Sequence, residues 1–262
     1  MAGGIVVWIF LLATAMGPWI APYSPTATDY AHTLAPPSLA HPAGTDDFGR
    51  DILSRLIVGS RYSLGMGLGA TVVGATLGSA WGIASGFYGG TFDNISMRFV
   101  DILLAFPGIL LAVAIVAVLG PGLLNVVIAV GVFSVPTFAR LTRGPSLAAM
   151  AQEYVEAARA LGASNLRIMG RHLLPVALPS ILVYASLRVG TAILTASSLS
   201  FLGLGVQPPT PEWGAMLAGA RLFLNVAPHL VLAPGLAISL AVLGFNLLGD
   251  GVRDALDPRL RD

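Results

Sequence analysis

The sequence predicts an all-α integral membrane protein with six transmembrane helices, and three observations carry that prediction. Of 262 residues, 55% are hydrophobic and only 10% are charged, whereas a soluble domain carries about 25% charged residues. The apolar residues gather into six runs, at about 3–22, 62–88, 101–120, 122–141, 177–203 and 229–249. Each approaches the roughly 20 residues that a helix needs to cross the hydrocarbon. None shows the two-residue alternation of a barrel strand, so the backbone in lipid must be satisfied within helices.

The first run contains Ala13-Thr14-Ala15, which looks like a signal-peptidase site. No Lys or Arg precedes it, and the run continues to about Ile20, longer than a signal h-region. It is expected to be a retained anchor. The basic flank usual for such a segment is missing, which leaves room for a native start upstream of Met1. Residues 1–22 are thus the first membrane helix, 23–61 an extracytoplasmic segment, 62–250 the core permeation unit and 251–262 a cytoplasmic tail. The extracytoplasmic segment opens with Pro22-Tyr23-Ser24-Pro25 and Pro36-Pro37. It ends in a stretch where Ile52, Leu53, Leu56 and Ile57 share one helical face, the pattern of a helix lying in the interface. The later outside loop, about 204–228, contains Gln207-Pro-Pro-Thr-Pro-Glu-Trp213 and is too proline-rich to span.

Arginine placement sets the orientation. With six spans both termini share a side, and that side holds Arg98, Arg140, Arg143, Arg159, Arg167, Arg171, Arg253, Arg259 and Arg261. The other side holds Arg50, Arg55, Arg61 and Arg221. The richer side marks the cytoplasm, so both termini are expected there.

The cytoplasmic side also carries a polar segment of more than thirty residues, from Arg140 to Pro175. Tyr154, Ala157, Ala158 and Leu161 recur at i, i+3, i+4 and i+7 and define one helical face. Glu153 and Glu156 complement the helix dipole at its start, and Arg159 follows Glu156 at i+3. Gly162 fits a C-terminal cap, after which Ser164 can cap a second helix running to about Leu173, with Pro175 as its stop. Periodicity leaves two readings open: a handle for a cytoplasmic protein, or an amphipathic helix resting on the membrane.

Two spans carry further patterns. Gly74, Gly78, Gly82 and Gly86 stack on one helix face, the spacing of close helix packing or of a flexible gate helix. Tyr184, Arg188, Thr191, Thr195 and Ser198 form a polar stripe. An arginine at mid-membrane costs about 2.5–3.5 kcal/mol on insertion scales and must face protein or a water-filled cavity. The stripe either lines a translocation path or is structural, with hydroxyls bonded back to their own carbonyls.

The chain has no cysteine, which excludes thiolate zinc sites and iron–sulfur clusters. It has no lysine either, so a Walker A phosphate loop is excluded and any ATP must be bound by another subunit. Its net charge of +1 gives no reason for a nucleic-acid partner. The histidines show no metal-ligand spacing, and His172 is expected to pack or bond locally. Hydrolase signatures are missing, and no internal repeat suggests a two-halved secondary carrier. An ion-coupled carrier and an intramembrane enzyme remain as remote alternatives.

Glu156-Ala157-Ala158, Gly162 four residues later and Leu174-Pro175 resemble the EAA loop of ABC-importer permeases. His172 stands where the general pattern has an isoleucine, as in the dipeptide and oligopeptide subgroup. That subgroup is also resembled in His41–Asp51, Asp101–Pro107, Ser198–Pro211 and Leu247–Gly251 with Asp257–Leu260. The first span and the His41–Asp51 stretch point to the C-type member of the permease pair. The resemblance implies a type I ABC importer permease fold with a cytoplasmic coupling loop at about 142–176. Tyr154, Glu156, Ala157, Ala158, Leu161, Gly162, Leu174 and Pro175 would then couple to an ATPase. It also implies a homologous permease as partner, two ATPase subunits holding ATP and Mg, and an extracytoplasmic substrate-binding protein. Cargo is expected to be di- or oligopeptides, with nickel chelates, glutathione or haem as alternatives.

Overall fold

The computed structural model describes residues 2–256, and there it is helical, with a lone β-bridge between Thr45 and Asp51. The Asp257–Leu260 stretch and the arginines at 259 and 261 lie outside the described residues. Ten α-helices follow one another: α1 (Ala2–Ile20), α2 (Ile52–Tyr88), α3 (Gly90–Ala105), α4 (Gly108–Leu119), α5 (Leu123–Met150), α6 (Glu153–Ala160), α7 (Asn165–Ile168), α8 (Leu174–Phe201), α9 (Trp213–Ala220) and α10 (His229–Leu256). Five are long and apolar enough to cross a membrane, and α3 with α4 forms a sixth span if that bent pair is counted as one. The start of α1 meets the far end of α10, where Gly3 lies against Leu247, so both ends of the described chain share a side.

Four sequence expectations change. Residues 52–57 are not a separate interfacial helix. They begin α2, whose 37 residues reach about 55 Å at 1.5 Å per residue, well beyond the hydrocarbon thickness. Asp51 starts the helix by accepting from the Ser54 N–H at 2.7 Å. Ile52 is buried against Ala220, Ala227 and Leu230 rather than facing lipid. Tertiary burial therefore replaced the interface that the amphipathic pattern suggested.

The run at 101–120 is not a straight span. It breaks at Phe106-Pro107, where α3 and α4 diverge by 91°. Proline disfavours helical geometry in the residue before it, and Phe106 is extended at φ −79°, ψ 137°. The 12 residues of α4 reach only about 18 Å and need the bend to complete a crossing.

Nor does Pro175 stop the second coupling helix. α7 is a single turn, a π turn follows over Met169–Leu173, and α8 then starts at Leu174 with Pro175 in its first turn. That is the position where a missing N–H leaves no gap. The coupling segment is therefore continuous with the α8 span. Likewise α5 does not end near residue 141 but continues through Pro145 to Met150.

Packing centres on α2 and α5. Along their seam a Cβ at Gly74 would sit 2.5 Å from Ser134 Cβ, one at Gly78 2.5 Å from the Val135 carbonyl oxygen, and one at Gly86 2.6 Å from Ser146 Cβ. A Cβ at Gly82 would collide with the Ala139 carbonyl. The four glycines thus bring two backbones together where any larger side chain would separate them. Where α2, α4, α5 and α8 meet, Met66, Val116, Val130, Ala192 and Leu199 form a closed apolar core.

Above the bundle, the outer segments lock onto the ends of α2 and α8. Asp46 accepts from the N–H groups of Phe48 and Arg50, both at 2.9 Å, and from Arg50 Nε at 2.7 Å. Arg55 Nε lies 3.5 Å from the same carboxylate. Glu212 is fully buried and caps α9 through the Gly214 and Ala215 N–H groups, at 3.0 and 2.8 Å. Ser63 on α2 donates to it at 2.9 Å. Burial pushes its carboxyl above the usual carboxylate range, against the pull of those donors.

Candidate functional site: the cytoplasmic coupling segment and the arginine of α8

The coupling segment is built around one anchor. Val155 is 1% exposed and packs with Ile83 and Phe87 of α2, Ala149 of α5, Ile168 and Leu173. Arg159 lies over the Phe87 ring at 5.3 Å. The face named by the sequence pattern points the other way. Tyr154, Ala157 and Leu161 are exposed and Ala158 is partly so, with Leu161 at 89%. Glu156, Leu174 and Pro175 are exposed as well. His172 stacks near Tyr154, the ring centroids 5.9 Å apart.

Gly162 has φ +79°, a conformation that L side chains rarely adopt. Its N–H donates to the Arg159 carbonyl at 2.9 Å and the Ala163 N–H to the Ala158 carbonyl at 3.0 Å. This pair of bonds is the Schellman closure of α6. Ser164 takes the N-cap position of α7 without a side-chain hydrogen bond.

Sequence reasoning missed two contributors. Leu166 is 80% exposed and adds to the apolar surface of the segment, but no periodicity flags one leucine on a single-turn helix. Asp93 of α3 is buried, accepts from Ser85 and is bridged by Arg143 of α5. Arg140 likewise pairs with Asp101. These pairs tie α3 to the foot of α5, and separations of 50 and 39 residues conceal them in the sequence.

The α8 stripe is divided. Thr191, Thr195 and Ser198 donate to the carbonyls of Arg188, Thr191 and Leu194 at 3.0, 2.8 and 2.8 Å. Tyr184 meets Phe138 edge to face, with centroids 4.9 Å apart. Arg188 is buried and bonds across to α5 through Ser134 Oγ at 3.0 Å. Among the described residues no group of three His, Cys, Asp or Glu side chains is arranged to hold a metal ion.

A helical membrane bundle with its apolar side chains displayed on a cytoplasmic segment defines a membrane subunit fitted to work with a soluble partner. Comparison with known proteins makes the class specific. Residues 78–262 match the family described as binding-protein-dependent transport system inner membrane component. Residues 1–37 match the N-terminal transmembrane domain of oligopeptide transport permease C. The chain belongs to the binding-protein-dependent inner-membrane permease family. It is 51% identical over 262 residues to the glutathione transport system permease protein GsiD of Escherichia coli O1:K1 / APEC, covering 100% of this chain and 86% of the relative. GsiD of Shigella boydii serotype 4 (strain Sb227) matches at the same identity and coverage. The fold resembles that of a solved chain of the MetNI methionine ABC transporter in an inward-facing conformation, with TM-score 0.61 and 19% identity over 78% of this chain and 96% of that one.

The chain is therefore an ABC importer permease subunit, a multi-pass component of the inner membrane. It forms part of a translocation machine rather than catalysing a reaction, and works with ATPase and substrate-binding partners.

Proposed function

We propose that this permease serves an importer of short peptides, glutathione among them, and that it forms half of the translocation path with a homologous second permease. Glutathione is itself a small γ-linked peptide, so the 51% identity to a glutathione permease supports both parts of the substrate reading. Two ATPase subunits, holding ATP and Mg, would dock on the coupling segment, and an extracytoplasmic binding protein would deliver the solute. Tyr154, Glu156, Ala157, Ala158, Leu161 and Gly162 form the docking helix and its cap, while Leu174 and Pro175 join it to α8.

The observation that carries the coupling assignment is the division of this segment into a buried anchor and an exposed apolar face. Val155 fastens it to α2 and α5 while Leu161 and Leu166 stay uncovered. Closure of the ATPases on ATP would move this segment as a unit with α8. The permeases then shift between inward-open and outward-open states, an equilibrium biased by ligand.

The test is to purify the chain with its cognate permease, ATPases and binding protein, and to measure ATP-dependent glutathione and dipeptide uptake in proteoliposomes. Uptake of either, stimulated by the binding protein, is expected. Transport that proceeds without the ATPases would overturn the reading. Nickel chelates and haem serve as competing cargoes, and the ligand of the cognate binding protein decides among them.

A further inference from the structure

Arg188 lies midway along the 28-residue α8 and is 8% exposed. A buried charge left without a counter-charge is strongly destabilising, and at this depth in a membrane protein it marks a functional position. Its hydrogen bonds go to two neutral hydroxyls. Nε donates to Ser134 Oγ at 3.0 Å and Nη1 to Thr191 Oγ1 at 2.7 Å. The guanidinium lies over the Phe133 ring, 5.1 Å from its centroid. Nη2 is buried with no hydrogen-bond partner.

The surrounding helices cannot supply the missing anion. α1, α2, α4, α5 and α8 contain no Asp or Glu. Those of α3 are Asp93 and Asp101, paired with Arg143 and Arg140. α10 carries Asp250 and Asp254 only in its last two turns, at the cytoplasmic end. A carboxylate for Arg188 has to come from outside these helices. The route is short, because Thr191 is an exposed residue and its bond to Nη1 places the guanidinium edge one hydrogen bond behind the surface of α8.

We propose that Arg188 receives a carboxylate of the solute in transit, which displaces Thr191 from Nη1 and gives Nη2 its partner. The planar fork of a guanidinium matches a carboxylate with two parallel bonds, which an ammonium on a lysine stem cannot reproduce. The inference rests on the peptide-class reading above and sharpens it: the path itself, and not only the binding protein, selects solutes with a free carboxylate.

The experiment uses the assembled complex without its binding protein, in lipid nanodiscs, with radiolabelled glutathione and Ala-Ala as probes in equilibrium dialysis. Wild type is expected to bind at least one of them saturably, with the amidated form of that probe competing about tenfold or more less well. Arg188→Gln should weaken binding by about ten- to a hundredfold, the range for losing charge-assisted bonds, and should abolish the preference for carboxylate over amide. Arg188→Lys should fall between.

Equal affinity in wild type and Arg188→Gln, or no saturable binding in wild type, overturns the proposal. So does loss of the second permease from both variant complexes, which would assign the counter-charge to that subunit. Binding-protein-driven uptake of the same probes by wild type is measured in parallel. If uptake is present but the affinities are equal, only the arginine assignment fails. If uptake is absent for both probes, the peptide reading fails and this inference falls with it.

Discussion

At the outer end of the molecule, residues 21–51 and 203–228 bury Asp46 and Glu212 against partners in their own chain, among them Arg55 and Ser63 of α2. At the cytoplasmic end, residues 151–175 bury Val155, Ile168 and Leu173 but leave Tyr154, Leu161 and Leu166 exposed. Asp46, Arg55 and Glu212 are each less than a tenth exposed and all find partners within their own chain. Tyr154, Leu161 and Leu166 lie open, held in place through Val155. Asp46, Arg55 and Glu212 are thus paired within the chain, whereas the inner end leaves apolar side chains uncovered, the surface that the coupling proposal assigns to an ATPase. Damage to the first should appear as lost stability, and damage to the second as lost coupling in a well-folded subunit.

The largest effect expected is on the outer side. Asp46→Ala strips Arg55 of its carboxylate inside a closed network, and removing one partner of a buried pair costs about 3–5 kcal/mol. Thermal unfolding of the purified complex should show a lower midpoint and the membrane level should fall. Unchanged stability would mean that the network is not what locks this end.

Gly162→Pro is next and should separate the two ends most clearly. Proline is confined near φ −65° and has no N–H, while Gly162 sits at φ +79° and donates to Arg159. Membrane insertion should be normal, ATP hydrolysis should persist, and uptake should drop about a hundredfold, equivalent to ~2.7 kcal/mol. Wild-type uptake by this variant would defeat the coupling assignment.

Glu212→Ala leaves two N–H groups of α9 and the Ser63 hydroxyl without their acceptor. Uncapped, unsatisfied buried donors cost about 1–3 kcal/mol, again as stability and with coupling intact in the fraction that folds. Leu161→Asp is the mildest. It places a charge on an exposed position and should not shift the unfolding midpoint, but should weaken copurification of the ATPase about tenfold. A stability loss with normal ATPase binding would reverse the roles given to the two ends.

Much of this contrast was legible before any coordinates. Gly162 stood out because a glycine one residue past a helical pattern is a cap, and the spacing of Tyr154, Ala157, Ala158 and Leu161 does gather them on one side of α6. Spacing does not say which side faces out. Val155 is off that pattern, and only the meeting of α2, α5 and α6 makes it the buried member. The bend at Phe106-Pro107 was written in a dipeptide, yet the apolar run around it suggested a straight span, because hydropathy reports burial and not direction. Residues 52–57 misled for a related reason. An amphipathic stretch buries its apolar face against whatever lies there, and here that is Ala220 and Leu230 rather than lipid.

The sequence by itself determined what is additive along the chain: how many segments enter the membrane, which side carries the arginines, where glycines allow close approach, and that ATP binding by a Walker lysine must lie elsewhere. Tertiary structure decided what depends on partners distant in sequence. It set Arg188 beside Ser134, 54 residues away, with no acid paired to it among the described residues. It joined the coupling segment to α8 through a π turn, and closed the outer end around Asp46 and Glu212. Local preference chooses helices and turns, but the partner of a charge and the facing side of a helix are settled by which surfaces the packed chain brings together.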